Sequence, residues 1–235
     1  MNAAVHHGSL QAAVVDDLGS RIATGELPAG SILNPEALTS QYGVSRTVLR
    51  EALRTLETLG MTSARPRVGT IVRPMAAWDL LDTRVISWRS AGPQAAEQLA
   101  DLFLLRQAVE PMIAGLAARH ADDDQLEQLA EWARQLDAAY AARDTAGFAA
   151  ADEGFHTLLV AAAGSPVLRQ LARTLQATLQ SRFRSPLPVF GGSADESLAR
   201  HLELAAAIAR RDPGAAEAIS ADLVRETRTD LLTWS

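Results

Sequence analysis

Residues 43–60 read Gly-Val-Ser-Arg-Thr-Val-Leu-Arg-Glu-Ala-Leu-Arg-Thr-Leu-Glu-Thr-Leu-Gly. Val48, Leu49, Ala52, Leu53, Leu56 and Leu59 recur at helical spacing, which predicts one buried stripe on a helix that Ser45 caps and Gly60 ends. Just upstream, a short helix is expected from Pro35 to Tyr42, with Asn34 as its cap, Pro35 at its first position and Gly43 breaking it. Two helices joined by a short turn containing glycine form a helix-turn-helix. A preceding helix is read over Leu10 to Thr24, where Val14, Val15, Leu18 and Ile22 share a face and Gly25 supplies the stop. Downstream, Met61 to Ala64 and Val68 to Val72 flank the turn-prone Arg65-Pro66-Arg67, so a small two-stranded hairpin, a wing, is expected before Pro74 closes the module.

Arg46, Thr47 and Arg50 fall opposite the apolar stripe, and that face suits a DNA major groove. The guanidinium fork matches the two acceptors of guanine, and a threonine methyl or hydroxyl meets a thymine methyl or a phosphate. Arg65 and Arg67 at the wing tip would reach the backbone or the minor groove, with Gly69 permitting close approach. The alternative is an ordinary solvated arginine face. Charge distribution bears on the choice. The chain carries a net charge of −6, but residues 1–74 balance to +1 and residues 75–235 to −7. Six arginines between positions 46 and 73 face only Glu51 and Glu57, so the positive charge gathers where DNA contact would need it.

The 235 residues are 48% hydrophobic and 21% charged, a globular composition with room for two domains. With no cysteine, disulfides, thiolate nucleophiles and Cys-ligated metals are excluded. No apolar run approaches the roughly 20 residues of a membrane span, and a cytoplasmic protein is expected. From Trp78 onward the pattern is helix after helix: Trp78–Arg89, Ala95–Ala121, Asp124–Ala142, Thr145–Ala163, Pro166–Arg184, Asp195–Arg211 and Gly214–Thr233, with a loop from Ser185 to Ser193. The expected organisation is a winged helix-turn-helix over 1–74, a linker and connecting helix over 75–94, and an all-helical domain over 95–235.

Within the helical half, Asp152 and His156 lie four apart, so both project from one face and suit a single cation; an ordinary hydrogen-bonded surface pair has the same spacing. His201, beside the apolar stripe of a later helix, is either a third ligand or a core histidine. Arg182 continues the phase of Leu168, Leu171, Leu175 and Leu179, where a guanidinium meets an anion or snorkels out.

Leu27-Pro28-Ala29-Gly30-Ser31, Leu38 to Tyr42, Gly43 to Leu53 and Leu56 to Gly60 together resemble the winged helix-turn-helix of the GntR family of bacterial transcription regulators. By that resemblance Arg46, Thr47, Arg50 and Gly69 are operator-contacting positions, and Ser45, Arg65 and Arg67 complete the candidate DNA-binding residues. Where many members carry an arginine early in the second helix, this chain has Glu36. The second half is similar to the FadR-type effector domain, the FCD bundle, through Leu105-Arg106 to Glu110-Pro111, Ala117-Ala118, Asp152 with Phe155-His156, Ser165 to Leu168, and His201 with Ala207-Ile208. That resemblance implies a divalent metal, zinc or else nickel or manganese, held by an Asp-x-x-x-His pair and two later histidines. Asp152, His156 and His201 match, and the last position reads Asp222. Arg106 fits the family's pocket arginine and is also spaced to pair with Glu110. Trp78 to Thr83, Val85 to Trp88 and Val109-Glu110-Pro111 are similar to the galactonate-responsive branch of the family. The implied function is a homodimeric repressor on a palindromic duplex operator, controlled by a small carboxylate such as a sugar acid bound at Arg106, Arg182 and the metal. The alternatives are a regulator answering a different organic acid, a metal-dependent helical hydrolase or lyase, or a bundle that only dimerises.

Overall fold

The computed structural model describes residues 2–183 and 193–232, with side chains described over 10–177 and 195–226. It divides into two compact units, residues 1–98 and 99–235.

The first unit opens with α1 (Asn2–Ala23) and then β1 (Ile32–Leu33). Helices α2 (Pro35–Tyr42) and α3 (Arg46–Thr58) follow, then strands β2 (Thr62–Arg65) and β3 (Gly69–Val72). Asn34 accepts from the backbone N–H of Glu36 and Ala37, Pro35 occupies the first turn, and Gly43 ends α2 at φ 62°. The expected stripe of α3 is buried from Val48 to Leu56 and meets Val14, Val15, Leu18 and Ile22 of α1. The wing has one strand more than expected. The sheet order is β1-β3-β2, all antiparallel, with Leu33 opposite Thr70 and Thr62 opposite Val72. β1 is two residues long, too short for period-two alternation to show in a sequence.

The helix expected from Trp78 begins later, as α4 (Thr83–Arg89), after a single 3-10 turn at Met75–Ala77. The reason is local: Asp82 caps α4 by accepting from the Arg84 N–H, and the Trp78 indole N–H is committed to the Arg73 carbonyl at 2.9 Å. α4 packs on α1, where Trp88 lies over Gly19 so closely that a Cβ there would enter the ring. Gly60 is constrained twice, by φ 72° and by the Ala77 carbonyl oxygen occupying the space of a Cβ.

The second unit is built from α5 (Ala95–His120), α6 (Asp123–Ala142), α7 (Thr145–Ala162), α8 (Pro166–Phe183), α9 (Ser193–Ala209) and α10 (Pro213–Leu232). Of the expected loop 185–193, only Ser193 lies within the described residues, and it opens α9. Among the described residues the unit is wholly helical. Asp122 and Gln125 form a reciprocal capping box on α6, and Asp144 caps α7 by accepting from the Gly147 N–H. Ala114, Ala117 and Ala118 of α5 are fully buried, as are Phe148, Phe155 and Leu159 of α7 and Leu204 and Ile208 of α9. These residues belong to one buried cluster, and the inward face of α7 lies deep in it. That face carries Asp152 and His156.

Gly60→Ala is expected to destabilise the protein by about 3 kcal/mol, from about 1–2 for left-handed backbone plus about 1–3 for the collision with Ala77. Gly25→Ala, at φ 85° with open space around it, should cost only the backbone part, about 1 kcal/mol. Urea unfolding followed by tryptophan fluorescence checks the difference; equal midpoints for the two variants would refute it.

Candidate DNA-binding face and candidate metal centre

The Ser45 hydroxyl accepts from the Val48 N–H at 3.3 Å, so Arg46 and Thr47 sit in the first turn of α3. Their side chains and that of Arg50 stand in solvent, opposite the buried stripe, and the Arg46 and Arg50 side chains are 84% and 75% exposed. Arg46 Nη2 lies 3.5 Å from Glu36 Oε1 at the start of α2. Between α2, α3 and the wing runs a concavity of about 780 Å³ lined by Arg46, Thr47, Arg50 and Gly69, with Glu36 and Glu57 also on its wall. Arg54 lines it as well. Sequence reading did not select Arg54 for this face, although its place four residues after Arg50 was the available signal.

The Val68 N–H donates to the Arg65 carbonyl at 3.2 Å and closes the wing turn, with Pro66 second and Arg67 third at φ 64°. Proline followed by a residue of positive φ is the type II pattern, which ordinarily selects glycine or asparagine at the third position. Arg65 and Arg67 are both exposed at this tip. Glu57 braces the wing from α3 by accepting the Ala64 N–H at 3.0 Å.

In the helical unit, Asp152 and His156 from α7 and His201 from α9 converge, all three buried, with one ligand atom from each within 4.8 Å of the others. The separations are 3.3 Å between the two histidine Nε2 atoms, 3.2 Å from His201 Nε2 to Asp152 Oδ1 and 3.9 Å from His156 Nε2 to the same oxygen. A tetrahedral ion bonded at about 2.0–2.2 Å holds neighbouring donors about 3.3–3.6 Å apart, so the group is close to coordinating size. The His201 Nδ1–H donates to the Ser197 carbonyl at 2.7 Å. A carbonyl only accepts, so the proton of the neutral ring is on Nδ1 and the Nε2 lone pair faces a carboxylate and a second imidazole. A proton on His156 Nε2 would bridge two of these atoms, and a divalent ion would bridge all three. Phe155 closes the sides, its ring edge-on to both imidazoles at 5.8 and 5.2 Å between centroids.

Arg106 and Glu110 of α5 lie beside this group. Arg106 Nε donates to Glu110 Oε1 at 2.6 Å and Nη2 to Oε2 at 3.2 Å, and both side chains are buried. Arg106 Nη1 is buried with no hydrogen-bond partner among the described residues. Burial opposes charge on Arg106, but Glu110 against it and Asp152 nearby prevail and hold the guanidinium above its ordinary value. Burial likewise opposes the Glu110 charge; Arg106 and His156 outweigh it and keep the carboxyl below its usual range. At His156 burial wins over the pull of Glu110 and Asp152, and the imidazole is held neutral to lower pH than usual. Sequence reading had Glu110 only as a partner for Arg106. Asp222 is not in the group: its Oδ1 accepts from Arg225 Nη2 at 2.5 Å and its side chain is partly exposed. The Arg182 side chain lies outside the described residues.

Comparison with known proteins bears on both units. Residues 10–72 match the gntR family of bacterial regulatory proteins, and residues 101–226 match the FCD domain. The chain is similar to the uncharacterized HTH-type transcriptional regulator YieP of Escherichia coli, 37% identical over 111 residues, which are 47% of this chain and 48% of that protein. It is also similar to the galactonate operon transcriptional repressor of Escherichia coli, 28% identical over 205 residues, 87% of this chain and 89% of that protein. Among solved structures, Streptococcus agalactiae GntR aligns with a TM-score of 0.54 at 26% identity, over 94% of this chain and 99% of that one. Because the FCD match alone spans more than half of its length, behind a gntR-type helix-turn-helix, the chain belongs to the gntR family of transcription regulators, among those that carry an FCD domain.

Proposed function

We propose that this regulator is a repressor whose affinity for a palindromic operator is set by a small carboxylate, a sugar acid, bound beside a divalent metal. The observation that carries the reading is the buried convergence of Asp152, His156 and His201 next to Arg106, whose Nη1 is a buried donor without a partner among the described residues. These three residues would hold zinc, or nickel or manganese. A bound divalent ion supplies a positive centre for a carboxylate oxygen, and Arg106 is placed to donate a hydrogen bond to the same anion. The likeness to a protein named as a galactonate operon repressor favours a sugar acid and repression. Family membership favours this role over a metal-dependent hydrolase or lyase.

On the operator, Arg46, Thr47 and Arg50 read base edges, while Arg65, Arg67 and the backbone at Gly69 hold the duplex. A two-fold operator needs two recognition helices, hence a homodimer. The exposed row Leu104, Ala108 and Met112 along α5 supports a partnered surface in the helical unit. The effector acts by binding one arrangement of the two DNA-binding modules better than another, and so shifts operator affinity.

Duplexes selected from a random pool by the parent protein supply the operator for a mobility-shift titration. Arg50→Ala should weaken binding about 10–100-fold and relax preference at one base position, whereas Arg67→Ala should weaken all sequences alike and lower the salt slope by about one. Parent-like affinity and selectivity in Arg50→Ala would remove α3 from the groove.

A thermal-shift screen of sugar acids tests the sensing half. A binding acid should raise the melting temperature and release the operator, and both effects should vanish with a chelator or in His201→Ala. Stabilisation by a sugar acid that is indifferent to chelation would refute the metal's part in effector binding.

A further inference from the structure

The Glu110 carboxylate has two neighbours. On one side it takes both Arg106 hydrogen bonds; on the other, its Oε2 lies 3.8 Å from Nδ1 of His156 on α7. At that distance the attraction is electrostatic and acts across the gap between two helices. The opposite edge of the same imidazole carries Nε2, the atom that joins Asp152 and His201. The two histidines are therefore oriented by different means. His201 is held by a backbone carbonyl of its own helix, through Ser197. His156 has a charged side chain from another helix behind it.

We infer that Glu110 is a positioning residue of the metal centre: facing His156 Nδ1, it keeps the proton on that nitrogen and turns the Nε2 lone pair toward Asp152 and His201, while Arg106 holds the carboxylate in place. The inference rests on the metal reading proposed above. A carboxylate behind a ligating histidine fixes its tautomer and ring orientation and makes it a stronger donor to the ion. The assignment also accounts for a buried ion pair that stability alone explains poorly, since desolvation of two charges offsets much of what their attraction contributes. Glu110 touches neither the ion nor the effector in this scheme. It acts through His156.

Glu110→Gln keeps the shape and removes the charge. Zinc affinity, measured by competition with a chromophoric chelator, is expected to fall about 10–100-fold relative to the parent. The visible absorption bands of the cobalt-loaded protein should shift, because the donor strength of His156 changes. The double variant Arg106→Met with Glu110→Gln leaves no unpaired buried guanidinium, so it keeps the test open if the single variant does not fold. It should show the same loss and the same spectral change. Parent-like zinc affinity and an unchanged cobalt spectrum in a folded variant would overturn the inference and leave the metal reading standing. A parent protein with no measurable zinc or cobalt affinity would overturn both.

Discussion

Nε2 of His156, Nε2 of His201 and Oδ1 of Asp152 stand 3.2–3.9 Å apart in a buried space, where polar atoms this close need a proton or an ion shared among them. That constraint organises the helical unit. The caps at Asp122 and Asp144 set where α6 and α7 begin, and α7, packed on α6 and α8, presents Asp152 and His156 inward. The Ser197 carbonyl and the Glu110 carboxylate lie behind the two rings, so polarity is supplied from outside the group as well as within it.

The DNA-binding unit obeys a different economy. Arg46, Arg50, Arg65 and Arg67 are exposed, and α3 and the wing fix where each begins. Surface pairs such as Arg46 with Glu36 contribute little to stability because water and salt screen them. Their significance is positional: an acid at the mouth of the concavity offsets part of the positive charge that attracts phosphate. In the proposed reading, specificity depends on which arginine meets which base, and the buried face of α3 sets the helix's placement through its packing on α1.

Much of this was legible in the residues. Asn34 and Pro35, Ser45, and the stripe from Val48 to Leu56 each state a helix start or a buried face in local terms, and the structure has them so. What depended on distant pairing was not legible. β1 exists because Ile32 and Leu33 find β3, some forty residues on. The late start of α4 follows from the Asp82 cap and from Trp78 turning back to Arg73. At the candidate metal centre, helical spacing paired Asp152 with His156 and the family resemblance offered His201, but only tertiary packing places Glu110 behind His156 and leaves Asp222 with Arg225.

The most direct test is anomalous X-ray scattering at a metal absorption edge, from crystals of protein purified without chelators. A single strong peak about 2.0–2.2 Å from His156 Nε2, His201 Nε2 and Asp152 is the expected result. A clean map with no anomalous peak, and with His201 donating directly to Asp152, would show that a proton alone meets the demand and would contradict the account.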